Sequence, residues 1–302
     1  MTDNSSHNQT IQLRDGRRLG WAEFGDPQGK PVFYCHGWPG SRIEASLLDA
    51  AARRCKVRLI SADRPGLGLS DFQQGRSFAD WPQDVAQLGA ALKLGEFAVL
   101  GVSGGAPYAA ACALGIPSQL SRVGIVSGMG PVDRPQALDG MSWWNRLLIS
   151  AARRLPRSVR FLYGLASLGI RRTPRVVLFL LRRMLPEPDR SVLARAEIRQ
   201  FFPGHLREIF RQGARGSSQD GEMYLKAWNL PLGEVGLPVH LWHGDVDAAV
   251  PASMGRFLSR QLPHCQTRLW AGEGHISLLI DHADEILGTL RDGSLQAEAQ
   301  RR

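Results

Sequence analysis

Short apolar runs alternate with longer amphipathic stretches along most of the chain. Residues 10–13 and 18–24 predict two strands that are joined at Asp15-Gly16, which is a hairpin signal. Further apolar runs predict strands at residues 31–35, 57–61, 97–100, 123–126, 238–242 and 267–270. Helices are predicted between them, at residues 43–54, 80–94, 106–114, 251–262 and 276–290. Strands that alternate with helices indicate βαβ units and a mostly parallel central sheet flanked by helices.

One long segment, residues 131–232, does not follow this alternation. It is rich in leucine and arginine, it is helix-prone, and prolines such as Pro156 and Pro203 interrupt it. We therefore predict a core made of residues 1–130 and 233–302, with residues 131–232 forming a helical insertion between two strands of the sheet.

The positive charge of the chain is concentrated in this insertion. Residues 146–215 hold sixteen arginines and four acids, a net charge of +12 in a chain whose total is +9. We expect no nucleic-acid partner, because no zinc-finger spacing, RNA-binding signature or basic heptad accompanies the arginines. Three interpretations of the arginine pairs stay open: a solvated helix face, contact with an anionic membrane surface, and steering of an anionic substrate.

Composition narrows the class of protein. A chain of 302 residues with 43% hydrophobic residues is sufficient for a sizeable core. Four cysteines without metal-site spacing predict free, buried thiols in a reducing compartment. The first ten residues are polar, which predicts no signal peptide, and no uncharged apolar run approaches the roughly 18 residues of a membrane span. We therefore expect a cytoplasmic protein.

The five residues Gly101-Val102-Ser103-Gly104-Gly105 carry the clearest chemical signal. They read G-x-S-x-G, directly after a predicted buried strand and before an alanine-rich helix. Small residues two before and two after the serine permit a tight turn that leaves its Oγ exposed at the end of the strand. The pattern predicts that Ser103 is a nucleophile.

A serine hydroxyl needs a base within hydrogen-bond reach, and the base needs an orienting acid. His275 follows the last predicted strand, and Asp245 and Asp247 follow the one before it. Because the carboxyl ends of parallel strands face one crevice, these groups can meet Ser103 there. Asp245 has the alternative role of capping its loop, and Asp133 is a remote alternative acid. The other histidines considered for the base are interpreted as packed, loop, surface or insertion residues: His205, His240, His243, His264 and His282.

An oxyanion formed by attack of Ser103 requires preorganised N–H donors. We expect one donor to be the backbone N–H of Gly104, which follows the nucleophile. The second is predicted to be the N–H of Trp38, in the loop after the strand at residues 31–35. His36 and Gly37 are predicted to support this loop, and His36 is interpreted as a hydrogen-bonded buttress rather than a catalytic group.

Four motifs in order resemble the α/β-hydrolase superfamily over nearly the whole chain. They are H-G-W-P-G-S from His36, D-R-P-G-L-G-L-S-D from Asp63, G-V-S-G-G from Gly101, and the late aspartate and Gly-His. The resemblance favours Asp247 as the acid, since Gly244, Asp247 and Pro251 match G-x-x-D-x-x-x-P. Within the superfamily, the motifs resemble the lid-bearing branch that includes esterases, lactonases, C–C hydrolases and cofactor-free perhydrolases.

Two other branches fit the residues less well. The oxyanion loop also looks like that of epoxide hydrolases, but those use an aspartate nucleophile where this chain has Ser103. Proline iminopeptidases usually show H-G-G-P-G, and Trp38 replaces the middle glycine.

The resemblance implies an α/β-hydrolase fold with a helical lid, and a carboxylesterase-like serine hydrolase whose triad is Ser103, Asp247 and His275. The expected partner is a small-molecule acyl substrate, and no metal or organic cofactor is required. Acyl transfer, perhydrolysis, and cleavage of a lactone or C–C bond stay open as alternatives with the same triad. Apolar lid residues, among them Trp143 and Trp144, are expected to line the substrate pocket. Peripheral contact of the lid arginines with an anionic membrane stays one of the three open interpretations.

Overall fold

An eight-stranded sheet forms the centre of the computed structural model, which describes residues 7–134, 138–139, 141, 143–154, 156–183 and 185–293. The strands are β1 (Gln9–Gln12), β2 (Arg18–Gly25), β3 (Lys30–Cys35), β4 (Val57–Ala62), β5 (Phe97–Val102), β6 (Leu120–Val126), β7 (Val239–Gly244) and β8 (Cys265–Trp270). The spatial order is β1-β2-β4-β3-β5-β6-β7-β8. Strand β2 pairs antiparallel with β1 and β4, and every pairing from β4 through β3 to β8 is parallel. The carboxyl ends of β3 to β8 therefore share one edge of the sheet.

Helices cover the sheet and supply the connections. They are α1 (Asp49–Arg54), α2 (Trp81–Ala91), α3 (Ala106–Gly115), α4 (Trp143–Arg154), α5 (Pro156–Arg172), α6 (Pro174–Arg182), α7 (Glu187–Ala194), α8 (Ala196–Ile209), α9 (Arg215–Tyr224), α10 (Ala252–Gln261), α11 (His275–Asp281) and α12 (Ala283–Asp292). The predicted α/β fold with a mostly parallel, helix-flanked sheet is confirmed.

The core has one layer on each face of the sheet. Successive strand residues point to opposite faces, so Val99 packs with α2 and α3 while Leu100 packs with α1 and α12. All six residues of β5 are buried, as expected of a strand covered on both faces. The strand that precedes Ser103 is therefore held rigidly at the middle of the sheet.

Two predicted helices are each divided in the structure. Residues 42–48 form a 3₁₀ helix before α1, because the Arg42 backbone N–H and guanidinium both bind the Asp63 carboxylate, at 2.7 Å each. The helix predicted at residues 276–290 breaks at His282, whose ring packs on Trp270 and lies 2.9 Å from the Glu273 carboxylate. At both places, tertiary contacts override the hydrophobic pattern that predicted one continuous helix.

The four cysteines are free, as predicted. Cys35 and Cys112 are buried, whereas Cys55 and Cys265 are only partly buried, so the expectation of burial is wrong for those two. They lie in the turn after α1 and at the start of the edge strand β8, where one side of each residue meets solvent.

Helices α4 to α9 all lie between β6 and β7 in the sequence. No helix in the described ranges combines the length and the apolar character needed to cross a bilayer.

Candidate active site

Ser103 occupies the sharp turn between β5 and α3. Its φ is +54°, a left-handed conformation that costs a non-glycine residue on the order of 1–2 kcal/mol. The Ser103 carbonyl accepts the Met129 N–H at 2.9 Å, which helps to hold the turn. Its side chain is 8% exposed, at the sheet edge where the parallel strands end.

The glycines around Ser103 are required by close backbone approach. A Cβ on Gly105 would lie 2.0 Å from the carbonyl oxygen of Cys35, and one on Gly101 would lie 2.6 Å from the carbonyl oxygen of Gly105. The predicted reason for small residues at both positions, a tight turn, agrees with this geometry.

The structure brings His275 and Asp247 together. His275 Nδ1 lies 2.7 Å from Asp247 Oδ2, and the other carboxylate oxygen accepts the N–H groups of Ala249 and Val250 at 2.9 and 2.8 Å. Burial by itself would lower the pKa of His275, but the charge and hydrogen bond of Asp247 outweigh it and raise that pKa. Burial likewise opposes ionisation of Asp247, and His275 outweighs it, so the pKa of Asp247 is lowered. The pair favours an imidazolium beside a carboxylate.

Ser103 Oγ and the His275 ring, both within the described ranges, make no direct hydrogen bond to each other. Catalytic hydrogen bonds are often long before substrate binds and tighten in the complex. The ring nitrogen left for Ser103 is Nε2, because Nδ1 is occupied by Asp247.

The competing acids and bases have other partners. Asp245 Oδ1 accepts the Gly272 N–H at 2.7 Å, which is the loop-capping role that we considered for it. His243 is buried with Nε2 2.8 Å from the Val250 carbonyl and 3.6 Å from Asp247 Oδ2, and burial lowers its pKa. Asp133 lies 3.8 Å from the Arg134 guanidinium after β6.

The two predicted oxyanion donors lie side by side. A Cβ on Gly104 would be 2.7 Å from Trp38 Cβ and 3.0 Å from Trp38 N, so the backbones are in contact. Among the described residues, no acceptor is hydrogen-bonded to the Trp38 N–H. The Trp38 indole is fixed by a 2.8 Å hydrogen bond to the Ser217 carbonyl and by stacking on Tyr163.

The peptide groups before Trp38 are held from both directions. Glu44 Oε1 accepts the Gly37 N–H at 2.8 Å, and the Arg64 guanidinium donates to the carbonyls of His36 and Gly37 at 2.6 and 2.8 Å. The Gly37 carbonyl and the Trp38 N–H belong to one planar peptide. Arg64 therefore fixes the plane whose N–H is the candidate oxyanion donor, and a charged partner on the carbonyl polarises that N–H.

His36 is fully buried and contacts this loop. Its Nδ1 lies 3.0 Å from the Gly37 carbonyl, and its Nε2 accepts the Arg64 backbone N–H at 3.4 Å. Burial, with the nearby Arg64 charge, holds the pKa of His36 well below its ordinary value. His36 thus contacts the loop that it is predicted to support.

Glu44 is a second carboxylate near the nucleophile, and its side chain is 13% exposed. It also accepts the Tyr34 hydroxyl at 2.9 Å and lies 3.5 Å from His205 Nε2 of α8. Burial opposes its ionisation, but the hydrogen bond and charge of His205 outweigh it and lower the pKa of Glu44 to about 2.

Arg64 is held by Asp220 of α9. Asp220 is fully buried, receives Arg64 Nε at 2.8 Å, and also binds Arg76 and the Tyr108 hydroxyl. Burial opposes ionisation of Asp220, yet the two guanidinium charges lower its pKa. One turn along α9, the Tyr224 hydroxyl donates to the Gly104 carbonyl at 2.5 Å. Helix α9 thus contacts both sides of the candidate oxyanion hole.

Asp189 of α7 holds the backbone of the candidate base. Its buried carboxylate accepts the N–H groups of His275, Ile276 and Ser277 at 2.8 to 3.0 Å, at the start of α11. The anion satisfies N–H groups that have no partner within the helix and complements the helix dipole.

Sequence reasoning did not assign these supporting residues. The missed residues are Glu44, Arg64, Asp189, Asp220 and Tyr224. Arg64 lies inside the D-R-P-G motif, which is a signal that could have singled it out. Asp189 and Asp220 stand in the arginine-rich insertion without any local pattern, so only the tertiary structure reveals their partners.

The two tryptophans predicted to bind substrate begin α4. The Trp143 side chain is 66% exposed, and the side chain of Trp144 lies outside the described part of the structure. Within the described ranges, no group of three or more histidine, cysteine, aspartate or glutamate residues is arranged to hold a metal.

Asp220→Asn is expected to destabilise the protein by about 3–5 kcal/mol, because Arg64 and Arg76 would keep buried charges without a counterion. Asp284→Asn removes the same charge from an exposed pair with Arg54 and is expected to change stability far less. Urea unfolding of both variants and the wild type measures the difference. Equal losses in the two variants would contradict the importance of the buried network.

Comparison with known proteins shows which family the sequence matches. Residues 30–281 match the sequence profile of the family described as alpha/beta hydrolase fold. The non-heme chloroperoxidase of Streptomyces lividans is 31% identical over 125 residues, which span 41% of this chain and 45% of that protein. The chain thus matches less than half of that relative's length.

Solved structures share the fold at lower identity. An esterase from Exiguobacterium antarcticum superposes with a TM-score of 0.67 at 18% identity, over 94% of this chain and 97% of that one. A bromoperoxidase from Bacillus anthracis does so with a TM-score of 0.65 at 20% identity, over 94% and 98%. With the profile match over most of its length, this chain belongs to the α/β-hydrolase family.

Proposed function

We propose that the protein is a serine hydrolase that cleaves a carboxylic ester through an acyl-enzyme on Ser103. The observation that carries the proposal is the Asp247–His275 hydrogen bond of 2.7 Å, at the sheet edge where Ser103 occupies a strained turn. Esterases among the proteins of the same fold are consistent with this activity.

The reaction follows from the roles that these groups can take. Ser103 Oγ attacks the ester carbonyl while its proton passes to His275 Nε2, and Asp247 stabilises the resulting imidazolium. The N–H groups of Trp38 and Gly104 stabilise the oxyanion. When the tetrahedral intermediate collapses, the C–O bond breaks and His275 returns the proton to the leaving alcohol. Water, deprotonated by His275, then attacks the acyl-enzyme and releases the carboxylic acid and Ser103.

A second candidate function differs in the molecule that accepts the acyl group from Ser103. The names of two relatives, a non-heme chloroperoxidase and a bromoperoxidase, favour hydrogen peroxide as an alternative acceptor that would convert the acyl-enzyme to a peracid. An alcohol acceptor would give acyl transfer, and a lactone or C–C substrate would use the same triad. The helices between β6 and β7 are proposed to act as the lid that selects the acyl group.

Ser103→Ala is expected to lower kcat for ester hydrolysis by about 10⁶-fold, because the covalent route is lost. The rate of hydrolysis is measured with p-nitrophenyl esters from acetyl to decanoyl. The acyl chain length that is hydrolysed fastest indicates the length of the acyl pocket. Ser127→Ala is the matched control, since Ser127 is also buried at a strand end with a positive φ of 48°. It is expected to retain activity. A Ser103→Ala protein with undiminished turnover would exclude the mechanism.

The pH profile distinguishes His275 from the buried histidines His36 and His243. The base must be neutral, so kcat/KM falls as pH decreases through the pKa of the base. Because the pKa of His275 is raised, the midpoint of this acidic limb is expected above the ordinary histidine value of about 6.5. The pKa values of His36 and His243 are lowered, so a limb below the ordinary value would point to one of them instead.

A ring-proton NMR titration provides the second readout for this assignment. Ser103→Ala is compared with Ser103→Ala/Asp247→Asn, so that neither protein turns over. Loss of the Asp247 charge is expected to lower the pKa of His275. An unchanged titration would show that Asp247 is not its partner in solution.

Competition between acceptors identifies the reaction type. If water is the acceptor, adding hydrogen peroxide or an alcohol leaves the carboxylic acid as the main product of wild-type turnover. A peracid or a new ester that replaces the acid would instead establish perhydrolysis or acyl transfer, and Ser103→Ala should form neither.

A further inference from the structure

Helices α4 to α6 carry exposed apolar side chains on one face of each helix. Among the large apolar residues that the structure describes as exposed, all but two lie on these helices: Trp143, Leu147, Phe161, Leu165, Leu168, Val176, Phe179 and Leu180. Their spacing is i, i+4 in α4, i, i+4, i+7 in α5, and i, i+3, i+4 in α6, which places each set on one helix face. Their exposures run from 43% to 66%, so these faces are not part of the core.

The same helices have a large positive charge. Residues 143–183 contain ten arginines and no aspartate or glutamate. The helix-end pairs Arg153-Arg154 and Arg171-Arg172 are exposed, and none of the four forms an ion pair with a described carboxylate. The acids of the insertion that bind buried partners, Asp189 and Asp220, lie instead on α7 and α9.

A basic cavity lies next to these apolar faces. It has a volume of about 720 Å³ and lies between α6 and α8. Its lining includes Arg175 and Arg182 from α6, Arg199 and Arg207 from α8, and the apolar Leu178 and Phe179. None of the described residues that line the cavity is acidic, so its charge suits an anionic headgroup, and Phe179 adds apolar surface at its side.

We propose that helices α4 to α6 dock on an anionic membrane surface, with the arginine cavity receiving lipid phosphate groups. Amphipathic helices with arginines on one side and large apolar residues on the other bind the bilayer interface by this combination of burial and charge. The proposal goes beyond ester cleavage, and its readout does not depend on turnover.

The charge of the surface favours a lipid over a second copy of the chain. A symmetric dimer would place the same arginine-rich patch against itself, which like-charge repulsion disfavours. A nucleic acid would satisfy the arginines but would leave the aliphatic side chains without an apolar partner. An anionic bilayer satisfies both features of the surface.

Co-sedimentation with vesicles tests the proposal. Wild type and Ser103→Ala are expected to pellet at low salt with phosphatidylcholine vesicles that contain phosphatidylglycerol, and far less with pure phosphatidylcholine. Arg182→Glu/Arg199→Glu is expected to weaken binding by about tenfold or more. The matched control is Arg14→Glu/Arg260→Glu, which changes the net charge equally at exposed positions outside the insertion and is expected to bind as wild type.

A second variant separates apolar insertion from charge. Phe161→Ser/Phe179→Ser keeps every arginine, and it is expected to weaken binding to the anionic vesicles although the charge of the surface is unchanged. Three results would overturn the proposal: no vesicle binding by the wild type, equal loss in the Arg14→Glu/Arg260→Glu control, or a light-scattering dimer that the double serine variant abolishes. The last result would assign the surface to a second copy of the chain.

Discussion

The buried ion pair between Arg64 and Asp220 is the interaction on which the candidate site depends. It joins a loop of the sheet core to helix α9, and the same guanidinium holds the carbonyls of His36 and Gly37. Removing one charge from such a pair is costly, because the other stays buried without a partner. The orientation of the Trp38 N–H is therefore tied to the correct folding of a segment more than 150 residues further along the chain.

The sheet and the active-site turn were predictable because their signals are local. Apolar runs between turn residues indicated the strands, and the glycines of residues 101–105 indicated a tight turn at Ser103. The positions of Asp247 and His275 followed from a rule of topology, since parallel strands end at one edge. Even there, the sequence left Asp245 open, and only the resemblance and then the contact of 2.7 Å favoured Asp247.

The supporting groups were not predictable because each depends on a contact between distant segments. Asp189 and Asp220 look like ordinary surface acids in an arginine-rich stretch, but both are fully buried. The division of the helix at His282 has the same origin, since Trp270 and Glu273 bind its ring. Pattern reasoning follows neighbours in sequence, whereas these roles are set by neighbours in space.

Asp189 and Asp220 both lie in the second half of the insertion, on α7 and α9. The two halves of the insertion therefore differ in how freely their residues can be substituted. Helices α7 and α9 hold the backbone at His275 and the loop at Gly37, so their substitution would disturb the candidate site. Helices α4 to α6 supply neither of these contacts. The stretch from Trp143 to Arg183 can therefore change for a new substrate or a new surface if the stacking of Tyr163 on Trp38 is kept, whereas changes between Glu187 and Tyr224 must preserve both supports.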